Sequence, residues 1–307
     1  MFRTKVTETS APAGFAPAGK PGNTNQPRRR VAAVILRASA AWLACGLAAM
    51  GMATAQAPAW SEAVLFDFAN YSSKGAAPYA GVVRDSAGNL YGTTQGGGSN
   101  IGLDGFGVVY KMDPAGHERV LYTFTGGPDG GSPYGGVIGD SAGNLYGTAY
   151  DGGITTGYYG AGVVFKVDSA GKETVLYSFT GGAVGSNPYA GVIRDSAGDL
   201  YGTTLWGGTA DEGVVYKLNA AGQETVLHSF TGGADGGAPR GSVIRDSAGN
   251  LYGVTDSGGT ANAGVVYKVN TAGQETGCTA SRAGPMEAAP STVRSSIRRA
   301  TSTGPPS

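Results

Sequence analysis

Three arginines stand at matching places along the chain, Arg84, Arg194 and Arg245, each directly before an aspartate, and Gly139 fills the fourth such place before Asp140. Guanidinium groups grip carboxylates through paired hydrogen bonds, so three of them at one end of a central channel would hold an acidic ligand such as a carboxylate or an acidic glycan. The competing expectation is a local arginine–aspartate pair at the rim, because exposed charges are usually just solvated. The aspartates themselves, Asp85, Asp140, Asp195 and Asp246, each open an Asp-Ser-Ala-Gly segment. Their carboxylates suit a structural turn role, accepting backbone N–H groups while the glycine takes the left-handed position. Calcium wants six or more oxygens, and each segment offers one or two, so capping rather than ligation is expected. His117 and His228 lack companions at metal-ligand spacing, so no metal site is expected. The glycine-rich segments near residues 95–98 and 152–153 do not lead from a strand into a helix and carry no Gly-Lys-Ser/Thr, which argues against a nucleotide and leaves no cofactor in view. Catalysis needs unlike groups gathered at one place; these polar residues recur in equivalent positions, so no catalytic residue is assigned and an enzyme is not expected.

What must position these residues is a long internal repeat. PYAGVVRDSAGNLYGTT at Pro78 returns as PYGGVIGDSAGNLYGTA at Pro133, PYAGVIRDSAGDLYGTT at Pro188 and PRGSVIRDSAGNLYGVT at Pro239, at intervals of 55, 55 and 51 residues. A second block, GVVYKMDPAGHERVLYTF from Gly107, keeps step from Gly162, Gly213 and Gly264. Each unit reads as four strands of about five to seven residues separated by turns. With 55 glycines spread through 307 residues and no helical period, the fold class expected is all-β. A β-propeller-like array of four four-stranded repeats (78–132, 133–187, 188–238 and 239–276) accounts for strands that are apolar on both faces, with an open β-solenoid as the alternative. Residues 63–68, AVLFDF, match VLYTF and VLYSF. They read as a lone fourth strand able to close the last blade.

The formal charge of zero averages unlike segments. Residues 56–276 carry 11 basic and 20 acidic side chains, and such a surface repels phosphate, so nucleic acid is a poor partner. Residues 1–55 carry seven basic residues and one glutamate; Arg28, Arg29 and Arg30 precede an apolar run that ends in small residues. This is the pattern of an export signal with an extended leader, with cleavage expected after Ala55 and an exported, extracellular or envelope protein without a membrane span as the result. Arg37 interrupts the apolar run, leaving it short of the ~20 residues that a span requires. Cleavage would remove Cys45 and leave Cys278 alone, so no internal disulfide is available to the mature chain.

After Thr276 the repeat stops, yet plausible codons for LYSFTGGADGG read one base late give CTASRAGPME, which is the sequence from Cys278 to Glu287. DSAGNLYGTT treated alike gives IRRATSTGPP, from Ile297 to Pro306. Residues 277–307 are therefore expected to be a frameshifted fifth repeat forming a disordered tail, and Cys278 an accident of that shift. Restoring one base in the DNA should recover VLYSF and DSAGNLYG.

The segments PYAGVIRDSAGNLYGTT, GGVVYK and ETVLYSFTGG resemble the Gloeo/Verruco (GloVer) tandem repeat of exported bacterial proteins with varied C-terminal anchors, over residues 63–276. Gly191-Val192 through Tyr201 is also similar to the core of NHL-type propeller blades. The resemblance implies a propeller-like fold and an envelope or extracellular location, and it implies no activity. The functional expectation is a secreted or surface, non-catalytic binding or scaffold module, monomeric, whose partner is a surface protein or glycan. A lactonase-like propeller hydrolase and a truncated remnant of a longer repeat protein are the alternatives.

Overall fold

The computed structural model describes residues 62–69, 72–98, 105–154 and 160–280, with side chains to 276. The expected export signal, and the tail beyond 280, lie outside the described residues. Four consecutive strands make each antiparallel sheet. Sheet one holds β1 (Val83–Arg84), β2 (Leu90–Thr94), β3 (Val108–Met112) and β4 (Glu118–Thr123); sheet two holds β5 (Ile138–Gly139), β6 (Leu145–Ala149), β7 (Val163–Val167) and β8 (Glu173–Ser178). Sheet three holds β9 (Ile193–Arg194), β10 (Leu200–Thr204), β11 (Val214–Leu218) and β12 (Glu224–Ser229); sheet four holds β13 (Ile244–Arg245), β14 (Leu251–Val254), β15 (Val265–Val269) and β16 (Glu275–Ala280). One 3-10 turn, Gly182–Val184, is the only helical element among the described residues.

The outer hairpin of every sheet carries the same irregularity. Val109 faces Tyr122 and Tyr110 faces Val120, which leaves Leu121 without a partner, and the register slips at the corresponding places in the other three sheets. Such a bulge turns the strand locally. It explains why VLYTF is apolar at nearly every position: the face being buried changes at the bulge.

Neighbouring sheets meet face to face. Val109 of sheet one packs with Val137, Leu145, Val163 and Phe165 of sheet two; Val164 of sheet two packs with Val192, Leu200, Val214 and Tyr216 of sheet three; Val215 packs with Val243, Leu251, Val265 and Tyr267 of sheet four. One edge-to-face aromatic pair marks each junction, Phe124–Phe165 at 5.0 Å, Phe179–Tyr216 at 5.1 Å and Phe230–Tyr267 at 5.0 Å. Each contributes about 0.5–1.5 kcal/mol beyond its buried area. The glycine of LYG is forced by this packing, since a Cβ on Gly202 would lie 2.5 Å from the Tyr216 hydroxyl. Thr93 and Thr148 donate across the junctions to the carbonyls of Gly135 and Ala190, both at 2.8 Å, and Thr203 to Gly241 at 3.3 Å. Sheets that end at four strands and meet through their faces are propeller-like; a solenoid would run its ladders on from repeat to repeat.

Three expectations change. The first strand of each sheet is two residues long rather than five to seven. Its preceding residues pack backbone against backbone at the hub, where a Cβ on Gly191 would lie 2.6 Å from the Gly136 carbonyl. Residues 63–68 pair in no sheet, and β16 fills the place in sheet four that was expected for them. The repeat also continues as backbone to Ala280 rather than stopping at Thr276, because ladder hydrogen bonds to β15 require no particular side chain.

Candidate binding face

Each sheet has two ends of different character. At one end lie the short turns after the first and third strands. Asp140 accepts the amides of Ala142 at 3.0 Å and Asn144 at 2.9 Å, the Asn144 side chain at 2.9 Å and the Tyr146 hydroxyl at 2.9 Å. Asp85, Asp195 and Asp246 do the same for their own turns and for Tyr91, Tyr201 and Tyr252. The charged form is thereby favoured: hydrogen bonds led by the Asn250 side chain hold the Asp246 carboxyl down at about 2. The turns after the third strand repeat the device with Asp113, Asp168, Asn219 and Asn270. His117 belongs to one of them, its Nδ1 3.0 Å from Asp113.

The arginines sit at this end, and each has its own station. Arg194 lies over the ring of Tyr146 at 5.3 Å, and Arg245 over Tyr201 at 5.5 Å, in both cases a tyrosine of the preceding sheet. Among the described residues no sheet precedes Arg84 and no such ring lies beneath it. Where Gly139 replaces the arginine, a groove opens between sheets one and two, lined by Arg84, Asp85, Tyr91, Ile138, Gly139 and Asp140. The three guanidiniums therefore share no common partner; two of them join sheets. Among the described ion pairs none links these arginines to an aspartate.

A row of buried carboxylates runs between the sheets. Glu118, Glu173, Glu224 and Glu275 begin the fourth strands, and each leaves an oxygen buried without a hydrogen bond. Burial, with Asp129 adding to it, raises the Glu173 carboxyl to about 7, and burial alone raises Glu224 to about 7. Glu118 is compensated by Lys74, 3.5 Å away. His228, buried enough for its pKa to be lowered, has Nε2 3.4 Å from Asp235. Among the described residues no three His, Cys, Asp or Glu side chains converge as a metal site would require.

The opposite end is built from the long, variable connections, and it holds what sequence reasoning missed. Bridges tie the loop entering each sheet to the loop after its second strand: Ala76 to Gly96, Gly131 to Asp151, Ser186 to Trp206, Gly237 to Ser257. On this frame Tyr134 stacks on Tyr189 at 4.7 Å, Tyr79 lies 5.3 Å from Tyr134, and Tyr150 meets Tyr134 edge-on at 5.4 Å. Arg240 covers Tyr189 at 5.5 Å and bonds Asp256 at 3.1 Å. Tyr79 is 66% exposed, and Trp206 and Phe106 also reach solvent. Burial raises the nearby Asp151 carboxyl. The available signal was the residue after the recurring proline, Tyr, Tyr, Tyr and then Arg.

Residues 154–292 match the family model of the Gloeobacter/Verrucomicrobia repeat. Over those residues the chain resembles this repeat. Among solved structures, a putative gluconolactonase is 16% identical with a TM-score of 0.39, over 64% of this chain and 61% of that one. Porphyromonas gingivalis dipeptidyl peptidase 4 is 13% identical with a TM-score of 0.34, over 57% of this chain and 23% of that one. The chain thus spans less than two thirds of either protein's length. No curated protein matches. The blocks that recur within this chain build the sheets and turns, and the stretches that vary between its repeats fall on the loop end.

Proposed function

We propose that this repeat protein is a non-catalytic binding module of the cell exterior or envelope that takes a glycan on its loop end. The observation that carries the reading is the cluster of Tyr79, Tyr134, Tyr150 and Tyr189 joined by Arg240. Tyrosine rings offer flat faces to the C–H faces of sugars and a hydroxyl for hydrogen bonding. Arg240 and Asp256 add a donor and an acceptor for sugar hydroxyls or a uronate. Function concentrated on variable loops held by a uniform scaffold is the usual division of labour in repeat folds. The pattern of residues 1–55 supports export.

Affinity electrophoresis through gels containing neutral and uronic-acid polysaccharides tests this reading. Retardation is expected with at least one polymer, lost in Tyr79→Ala, with no release of reducing ends on incubation. Unchanged mobility in every gel, or retardation that Tyr79→Ala leaves intact, would remove it.

A further inference from the structure

The two ends of the array are halves of one junction. Residues 63–68 pair with no strand, yet they occupy the position that a preceding sheet's fourth strand would take. Phe68 meets Tyr110 edge-on at 5.1 Å, as Phe124 meets Phe165 and Phe179 meets Tyr216. Phe66 meets Phe68 at 4.8 Å, as Tyr122 meets Phe124. The Leu65 carbonyl stands 3.2 Å from where a Cβ on Gly116 would be, just as the bulge carbonyl of Leu176 stands 3.2 Å from that of Gly222. Among the described residues this is the place of a fourth strand without the first three. Val64 is accordingly 79% exposed, and Val82 is 42% exposed where its equivalents Val137, Val192 and Val243 are 3%, 3% and 1% exposed.

At the far end the complementary face is less covered than at the internal junctions. Val266 is only half-buried where Val109, Val164 and Val215 are fully buried against a following sheet. Among the described residues no arginine lies over Tyr252, which Lys268 of its own sheet covers at 5.7 Å, and Arg84 lies over no tyrosine. The strand that completes sheet four carries Gly-Cys-Thr-Ala at residues 277–280 where the repeats carry Val-Leu-Tyr-Ser or close variants, a poor match to the bulged, apolar pattern of the fourth strand.

We propose that a second copy of this chain fills the gap: strands β13–β15 of one molecule take residues 63–68 of the next as their fourth strand, displacing β16, and dock on the exposed face of its sheet one. Val266 then packs on the face bearing Val82, and Arg84 covers Tyr252, which reproduces a contact made at two of the three internal junctions. One contact is not reproduced, since Val254 stands where Thr93, Thr148 and Thr203 donate across. The contact joins unlike surfaces and propagates head to tail.

Sedimentation of the purified chain across a concentration series tests it, with Val82→Asp spoiling one end and Val266→Asp the other. The wild type should form dimers and larger species with rising concentration, each variant should remain a monomer with a cooperative melt, and an equimolar mixture of the two variants should give a one-to-one dimer. In that mixture one sound end of each kind remains. A wild type that stays monomeric at every concentration, or variants that fail to associate on mixing while both remain folded, overturns the proposal. Should Val266→Asp not fold, Arg84→Ala serves in the same series and should weaken wild-type association several-fold; no weakening counts against it equally.

Discussion

The turn end and the loop end are made by the same sheets and solve opposite problems. At the turn end the repeats agree almost residue for residue, and the turn carboxylates are spent on the fold: Asp140 satisfies two backbone amides, an asparagine and a tyrosine at once. At the loop end the repeats diverge in length, and aromatic rings are left facing solvent. Internal hydrogen bonding therefore marks stability here and rings left in solvent mark the candidate site, because a residue committed to several internal hydrogen bonds has none to offer a ligand.

The contrast can be broken most forcefully at the turn end. Asp140→Ala removes the acceptor of four hydrogen bonds, one of them from the Tyr146 hydroxyl, and should lower unfolding stability by about 2–3 kcal/mol in urea titrations. An unaltered midpoint would show that the turn forms without its carboxylate. The pH profile comes next. Glu173 and Glu224 have folded pKa values raised above the unfolded value of 4.5, so the native state binds more protons between pH 4.5 and about 7, and stability should fall as pH rises through that window. The turn aspartates act in the reverse sense: Asp246 is depressed to about 2, and its contribution, present above 3.8, should be lost as pH falls toward 2. Calorimetry should therefore find the highest melting temperature near pH 4–5, and Glu224→Gln should flatten the limb toward neutral pH; a profile unaffected by that change would refute the buried-carboxylate account.

Smaller effects separate the arginines. Arg245→Ala removes a cation over Tyr201 and should cost about 0.5–1 kcal/mol, whereas Arg84→Ala, with no ring to cover, should leave the melting temperature of the single chain unaltered. Equal losses would mean that the junction contact is immaterial. A similarly small effect on stability belongs to Tyr79→Ala, about 0.5 kcal/mol or less for so exposed a ring, even though polysaccharide binding should suffer most from it. A large fall in stability would instead make the tyrosine cluster part of the core.

Much of the architecture was legible because it is local and repeated. The Asp-Ser-Ala-Gly turns, the four strands per unit and the both-faces burial of GVVYK follow from residue chemistry and period alone. The tyrosine cluster was not, for Tyr79, Tyr134 and Tyr189 lie a whole repeat apart and read singly as one more aromatic after a proline. The arginines pose the opposite problem: matching places in the repeat left convergence and a local pair both open, whereas Arg194 and Arg245 each lie on a different ring. Equivalent positions in a repeat share an environment, which is a weaker condition than sharing a ligand.

The sequence by itself determined the strand pattern, the turn chemistry and the glycines that large rings must cross, since each depends on residues close in the chain or on a neighbour repeated at fixed distance. Only the tertiary structure decided which faces meet, that β16 rather than residues 63–68 completes sheet four, and that the proline-linked tyrosines gather at the hub. Those outcomes depend on competition between distant segments for the same edge or face, and packing geometry settles such contests where spacing along the chain leaves them open.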